Sequence, residues 1–286
     1  MTPLVVAAVL LAAVTHAGWN AIAHALRDQL TAFTLIGTGA ALSGAVLACL
    51  APLPAGAAWP WLLLSGLLHI GYQLLLMRSF SLGEFGQTYP VARGTAPLVV
   101  TVLAALFVGE TLDRAQTAGV AVCCAGLVGV ALWGIRGAKA RPNLPALTAA
   151  LATGLAIASY TVVDGAGVRV SGTALGYAGW LMVLQGTAIP VYALCTRRTG
   201  LFDALRPHAA VGLLGGGMSL AAYGLVLWAQ TRAALAPVAA LRESSIIVGA
   251  AISAVFFRER FGLPRVAAAG LIVAGIGLML QTEAGG

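Results

Sequence analysis

The stretch RGTAPLVVTVLAALFVGETLDRAQTAGVAVCCAGLV (Arg93–Val128) returns 149 residues later as RESSIIVGAAISAVFFRERFGLPRVAAAGLIVAGIG (Arg242–Gly277). Eight of 36 positions are identical: Arg93/Arg242, Val99/Val248, Ala105/Ala254, Phe107/Phe256, Glu110/Glu259, Ala118/Ala267, Ala125/Ala274 and Gly126/Gly275. Apolar coincidences are cheap in a chain that is 60% hydrophobic. A shared Arg and a shared Glu are not, because only 9% of the residues are charged. An offset of 151 likewise pairs Leu62, Leu63, Gly66, Tyr72, Leu74 and Leu76 with Leu213, Leu214, Gly217, Tyr223, Leu225 and Leu227, so the two registers differ by a two-residue gap.

Working outward, the rest of the chain has the same texture. Sixteen basic and nine acidic residues in 286 cannot cover a water-soluble surface, since soluble domains carry about 25% charge. That excludes an ordinary soluble enzyme and a disordered chain. The net charge of +7 comes from basic residues scattered singly between apolar runs, which is not a nucleic-acid footprint. A membrane helix needs about 20 mainly apolar residues to cross the hydrocarbon core. The runs between punctuation predict ten: 3–24, 31–51, 59–79, 86–108, 114–134, 144–163, 174–195, 208–230, 233–257 and 263–282. The runs are continuous rather than alternating, which argues against a β-barrel. Thirty-six glycines suit closely packed membrane helices, and twelve prolines are tolerated there. Cys49, Cys123, Cys124 and Cys195 lie in or at the end of apolar runs without metal-ligand spacing, and read as small buried hydrophobes. The N-terminus lacks a basic region and a clear cleavage site, so it reads as a mature helix.

Spans 3, 4 and 5 thus match spans 8, 9 and 10. The expected architecture is an all-α integral membrane protein of two five-helix repeats, 1–136 and 144–286, joined by a linker at 137–143. Five is odd, so a second copy that continues from the first is inverted relative to it. Inverted repeats mark many secondary transporters, with the substrate site near the midplane. Alternate connections hold Arg27; Arg78; Arg136, Lys139 and Arg141; Arg197, Arg198 and Arg206; and Arg258, Arg260 and Arg265. The opposite side holds Arg114, Arg169 and Arg232. Basic loops belong in the cytoplasm, which puts both termini outside.

Tyr89-Pro90-Val91-Ala92-Arg93-Gly94 and Val108-Gly109-Glu110 flank span 4; Leu241-Arg242-Glu243-Ser244-Ser245 and Arg258-Glu259-Arg260 flank span 9; His16-Ala17-Gly18-Trp19-Asn20 lies in span 1. With ten spans in two halves, this resembles the EamA-type transporters of the drug/metabolite transporter superfamily, over nearly the whole chain. The resemblance implies a bacterial inner-membrane carrier, often an exporter of small metabolites, and names no substrate. Two features depart from it. The family's usual Gly-Glu-Arg at the end of span 4 is here Gly109-Glu110-Thr111, and the better-known relatives have cytoplasmic termini, the reverse of the charge count.

An ionisable residue within a span is expensive in lipid and marks a candidate site. Arg93 and Arg242 occupy equivalent places in spans 4 and 9. Either they bind an anionic group such as a carboxylate or phosphonate, or they pair internally with Glu243. Glu243 is a candidate for proton coupling or for a structural ion pair. His16, Trp19 and Asn20 share a face of span 1, and His69, Tyr72 and Gln73 repeat the pattern in span 3. These residues either line a cavity or bond helix to helix. Tyr160, with Asp164 beyond it, and Tyr223 are their second-half counterparts; Trp180 and Gln185 are weaker candidates. Glu110 and Glu259 are expected to cap the helix that follows each loop. Pro90, Gly94 and Pro97 in span 4 and Pro237 in span 9 are expected to loosen those helices.

No phosphate-binding loop is present, the single lysine lies in a loop, and no metal-site spacing or Ser–His order suggests an enzyme. The expectation is a secondary carrier, an exporter or exchanger of a small polar, anionic or zwitterionic metabolite, without cofactor or metal. The other readings are a flippase for a lipid-linked intermediate and a non-transporting membrane enzyme or assembly subunit.

Overall fold

The computed structural model describes residues 1–26, 28–82, 85–136, 143–197, 200–248 and 263–280, and leaves aside the side chains of 24, 80, 85–90, 130–136, 263–265 and 280. All regular structure among the described residues is helical: α1 (Pro3–Ala25), α2 (Gln29–Leu50), α3 (Trp59–Leu82), α4 (Phe85–Leu103), α5 (Arg114–Arg136), α6 (Leu144–Val170), α7 (Ala174–Thr196), α8 (Ala209–Gln230), α9 (Leu235–Arg242) and α10 (Leu263–Leu280). Short helical turns at Gly56–Ala58 and Leu201–Leu205 precede α3 and α8, and a π-helical turn at Ala104–Val108 closes α4. Helix falls in each expected stretch. Seven segments among the described residues are long and apolar enough to cross a membrane: Pro3–Ala23, Gln29–Leu50, Gly56–Ser79, Val91–Val108, Leu144–Val170, Ala174–Thr196 and Leu201–Gln230. The apolar helix Val266–Met279 is shorter.

Two details depart from the sequence expectation. First, α4 runs unbroken through Pro90, Gly94 and Pro97. Second, α9 breaks at Glu243–Ser244 rather than at Pro237, and helix resumes at residues 245–248. Pro237 is in the first turn of α9, where an amide proton has no intrahelical partner to lose. At the break, bonds tighten to three-residue spacing: Glu243 N–H to Ala240 O at 3.1 Å, Ile246 N–H to Glu243 O at 3.0 Å. Residues 249–262, with Glu259, lie outside the described residues, as does the linker at 137–142.

The chain divides into two compact units, each drawing on both halves of the sequence. Unit 1 holds 1–10, 71–162 and 232–286; unit 2 holds 11–70 and 163–231.

In unit 1, α4, α5, α9 and α10 pack together. Its core joins Val120, Cys123, Leu127, Ala240, Ile272 and Met279. The α5–α10 contact is made by small residues. A Cβ on Gly119 would lie 2.6 Å from the Gly275 carbonyl oxygen, and one on Gly275 would lie 2.6 Å from that of Gly119. A Cβ on Gly126 would lie 3.2 Å from the Ala268 carbonyl oxygen, and Cys123 Sγ donates to Ile272 O at 3.5 Å. In the 149-residue register, 119 matches 268, 123 matches 272 and 126 matches 275. The pairs 119–275 and 126–268 therefore exchange, and 123–272 joins equivalent positions.

In unit 2, α2 packs against α7 and α8 on a seam of glycines. A Cβ on Gly37 would lie 2.8 Å from the Gly186 carbonyl oxygen, and one on Gly44 would lie 2.8 Å from that of Gly179. Small residues allow this close approach, which supplies dispersion contact where lipid removes the hydrophobic drive between helices. Just before α2, Asp28 pairs with Arg197 beyond α7, and that guanidinium holds the carboxyl below its ordinary range. Both side chains are largely solvated, so the pair contributes little to stability.

Gly275→Ala forces a methyl group against the Gly119 carbonyl and Cys123 Sγ. The expected result is a lower unfolding temperature in detergent, equivalent to about 1–3 kcal/mol. Gly270→Ala, where a Cβ meets open space, should leave it unchanged. Thermal melts of the two variants check this.

Candidate functional site

The break in α9 places three consecutive polar residues, Glu243, Ser244 and Ser245, directly after Arg242. Arg93 comes from α4, eight residues into its helix. All five are buried in unit 1. Glu243 has no exposed surface and stands between the two arginines: Arg93 Nε is 3.1 Å from Oε2 and Arg242 Nε 3.8 Å from Oε1. Both are charge contacts rather than aligned hydrogen bonds, and neither Glu243 oxygen accepts one among the described residues. Arg93 Nη2 donates to Ser245 Oγ at 2.8 Å. Arg242 Nη2 and Ser244 Oγ have no hydrogen-bond partner among the described residues.

Sequence reasoning offered Glu243 as partner for one arginine or the other; the structure gives it both. Among the described residues the cluster holds two guanidiniums against one carboxylate. Arg242 also ends α9, where the negative end of the helix dipole favours a cation. What the arrangement can do chemically is accept one more anionic group, with a guanidinium nitrogen and a hydroxyl available to it.

Other expected residues also lie in unit 1. Tyr72 and Tyr160 stack edge to face, ring centroids 5.5 Å apart. Gln73 is half-buried beside Tyr72. Gly94 lets α5 approach, since a Cβ there would lie 3.1 Å from Leu127 Cβ. Pro97, having no N–H, leaves the Arg93 carbonyl without its usual helical donor.

Glu110 acts differently from the sequence expectation. Its Oε2 accepts from Leu235 N at 2.7 Å, at the start of α9. Gly109, at a φ of 71°, turns the chain sharply after the π-helical turn, immediately before Glu110. The first turn of α5 is served instead by Asp113, whose Oδ1 accepts from Gln116 N at 2.8 Å while Gln116 Oε1 accepts from Asp113 N at 3.3 Å. This Asp-x-x-Gln capping box was legible in the sequence as a spacing.

In unit 2, the His16 face of α1 bonds within itself. Trp19 Nε1 donates to His16 Nδ1 at 3.3 Å, and Asn20 Nδ2 to the His16 carbonyl at 2.8 Å. Trp19 packs with Ala23, Ile36 and Met218. His69 is buried in α3, its Nδ1 3.0 Å from the Ser65 carbonyl, with its ring edge-on to Tyr223 at 5.3 Å. The Tyr223 hydroxyl donates to Asp164 Oδ2, and the Tyr177 hydroxyl donates to Oδ1 at 2.9 Å. Trp180 stacks on Trp59 at 5.2 Å, and Gln185 Nε2 contacts Met182 Sδ at 3.3 Å.

Tyr177 and the central place of Asp164 escaped the sequence reading. The expected span ended at 163, which put Asp164 at its edge. The helix continues to Val170, which draws the carboxylate inside. A Tyr at helical position four of the next span was the available signal, but it reads equally well as an interface aromatic.

Residues 3–132, a little less than half of the chain, match the model of the EamA-like transporter family, a family of multi-pass membrane proteins in the drug/metabolite transporter superfamily. No curated protein matches the chain. Among solved structures, one described as "Crystal structure of protein" aligns with 98% of this chain and 97% of its own, at a TM-score of 0.68 and 18% identity. At that identity the likeness shows the fold alone.

Removing the shared counter-charge tests the cluster as a unit. Glu243→Gln leaves two guanidiniums buried against a neutral amide, and removing one partner of a buried pair costs about 3–5 kcal/mol. The unfolding temperature in lipid nanodiscs should fall sharply, and less so when a small anion is added in excess. A melt unchanged from the parent protein would show that the arginines do not depend on Glu243.

Proposed function

We propose that this chain is a secondary transporter that exports or exchanges a small polar metabolite bearing an anionic group across the bacterial inner membrane by alternating access. The observation that supports it is a buried cluster with, among the described residues, two guanidiniums to one carboxylate, in which Arg242 Nη2 and Ser244 Oγ have no hydrogen-bond partner. The family match supports transport, and the cluster supports the substrate class.

The roles follow from geometry. Glu243 and Ser245 hold Arg93 in place, so one guanidinium is oriented before substrate arrives. Arg242 offers the nitrogen that a carboxylate or phosphonate oxygen takes up, and Ser244 adds a hydroxyl donor. A zwitterionic substrate's ammonium group would be drawn to Glu243, whose oxygens lack aligned donors among the described residues. Because these side chains flank a helix break, a few backbone torsions at Glu243–Ser244 can realign them when the carrier changes state. Tyr72 and Tyr160 are further candidates for lining a cavity in unit 1, and the His16, Trp19, Asn20, His69 and Tyr223 faces are separate candidates in unit 2.

Ten spans as two inverted five-helix repeats, 1–136 and 144–286, remain the architecture we propose. The exchange of contacts between α5 and α10 supports it: a residue pair that swaps under the register, about a pair that maps onto itself, is what a two-fold axis produces. Both termini face outward in this reading, from the basic-residue count.

Two measurements follow. In thermal-shift titrations with a panel of short carboxylates and phosphonates, binding stabilises the folded protein by mass action. Arg242→Ala should weaken that binding by about ten- to a hundredfold, the worth of a hydrogen bond to a charged group, and Arg242→Lys by less. Equal stabilisation of the parent and of both Arg93→Ala and Arg242→Ala would sink the anion site. Fusing a periplasm-active reporter and a cytoplasm-active reporter to Gly286 should give signal only from the periplasmic one.

A further inference from the structure

We propose that Asp164, together with the phenols of Tyr177 and Tyr223, is a proton-binding site in unit 2. Its use in driving transport rests on the carrier reading; its protonation does not.

The site is built from three helices. Asp164 on α6 has no exposed surface, and each carboxylate oxygen receives one phenol: Oδ1 from Tyr177 on α7, Oδ2 from Tyr223 on α8. Tyr177 is also wholly buried. It reaches Asp164 only because α6 carries a glycine one turn further on. A Cβ on Gly167 would lie 2.5 Å from the Tyr177 hydroxyl oxygen and 2.6 Å from Trp61 Cβ. Among the described residues, titratable groups facing Asp164 include Tyr177, Tyr223 and, behind Tyr223, His69, whose Nδ1 lies 3.0 Å from the Ser65 carbonyl and 3.1 Å from Ser65 Oγ. Arg169, further along α6, donates from Nε to the Gln230 carbonyl at 2.9 Å.

A phenol hydroxyl both donates and accepts, whereas a guanidinium only donates. With Asp164 ionised, both phenols donate to it. When a proton from the water of one compartment adds to Oδ2, the new O–H donates and the Tyr223 hydroxyl turns to accept. The carboxyl keeps a hydrogen-bond partner on each oxygen in both states, one O–H bond forms as the hydrated proton gives up its own, and no electrons change hands. Release to water on the other side reverses the step. The charge of the site changes by one unit in a medium of low dielectric, where such a change is large enough to bias how α6, α7 and α8 pack. Glu243 is less suited to the task, because a guanidinium cannot accept from the new O–H and both arginines would lose the negative charge that faces them.

Infrared difference spectroscopy of the protein in lipid, titrated by pH in H2O and D2O, reads the site without any substrate. The parent protein should show a carboxylic C=O band that grows as pH falls and shifts in D2O, and Asp164→Asn should remove it. Tyr223→Phe, which keeps the Tyr177 donor, should move the midpoint by about one pH unit, the scale of one hydrogen bond. Gly167→Ala, by displacing Tyr177, should move it too, so the proposal stays testable if the Asn variant does not fold. A band absent at every pH, a band that survives Asp164→Asn, or a midpoint unmoved in both other variants overturns the proposal. So does a midpoint set by sodium concentration, which would assign the site to a metal cation. Loss of anion binding in the arginine variants with the Asp164 band intact would separate the two sites.

Discussion

Lipid gives an ionised side chain nothing to lean on, so each charge within a span has to be met by the protein itself. Around α4 and α9 that requirement organises nearly everything. Arg93 needs Glu243, and Glu243 needs a position from which it can also reach Arg242. A regular α9 would spread residues 242 to 245 evenly around the helix. The tightened turn instead brings Arg242, Glu243 and Ser245 to bear on one place, with Ser245 reaching Arg93. The irregular backbone is therefore part of the charge compensation, and a membrane tolerates such a break where it is buried in protein.

The second unit solves the same problem with different chemistry. Its buried acid, Asp164, is held by hydroxyls that can reverse their role, where Glu243 is held by cations that cannot. Each unit is packed by glycines that bring backbones into contact, at Gly119 and Gly275 in one and at Gly37 and Gly186 in the other. Closely packed seams together with adaptable polar centres fit the carrier reading proposed above.

Much of this was legible in the sequence because lipid makes the code coarse. Apolar runs of sufficient length announced where helices lie, and charges inside those runs announced Arg93, Arg242 and Glu243. What stayed hidden depended on details that composition does not carry. Pro237 looked like the weak point of α9, yet its position in the first turn makes it harmless, and the break falls where the polar side chains are. Glu110 looked like the cap of the nearest helix, but it accepts from an amide 125 residues away and directly follows a left-handed glycine. Asp164 was noticed but undervalued, because a span boundary drawn seven residues short left it at the margin.

The hydrogen bond from Leu235 N to Glu110 also bears on how this chain can be divided or recombined. It ties the loop after α4 to the first turn of α9, one in each half of the sequence. Were the halves separate polypeptides, this bond would form only at the concentration of a partner in the membrane; a continuous chain supplies that partner at a fixed and high effective concentration. The loop and the helix start are thus a single inherited feature. A chimera that takes its first half from one relative and its second from another has to match Glu110 to an open amide at the head of α9, however compatible the two halves look on their own.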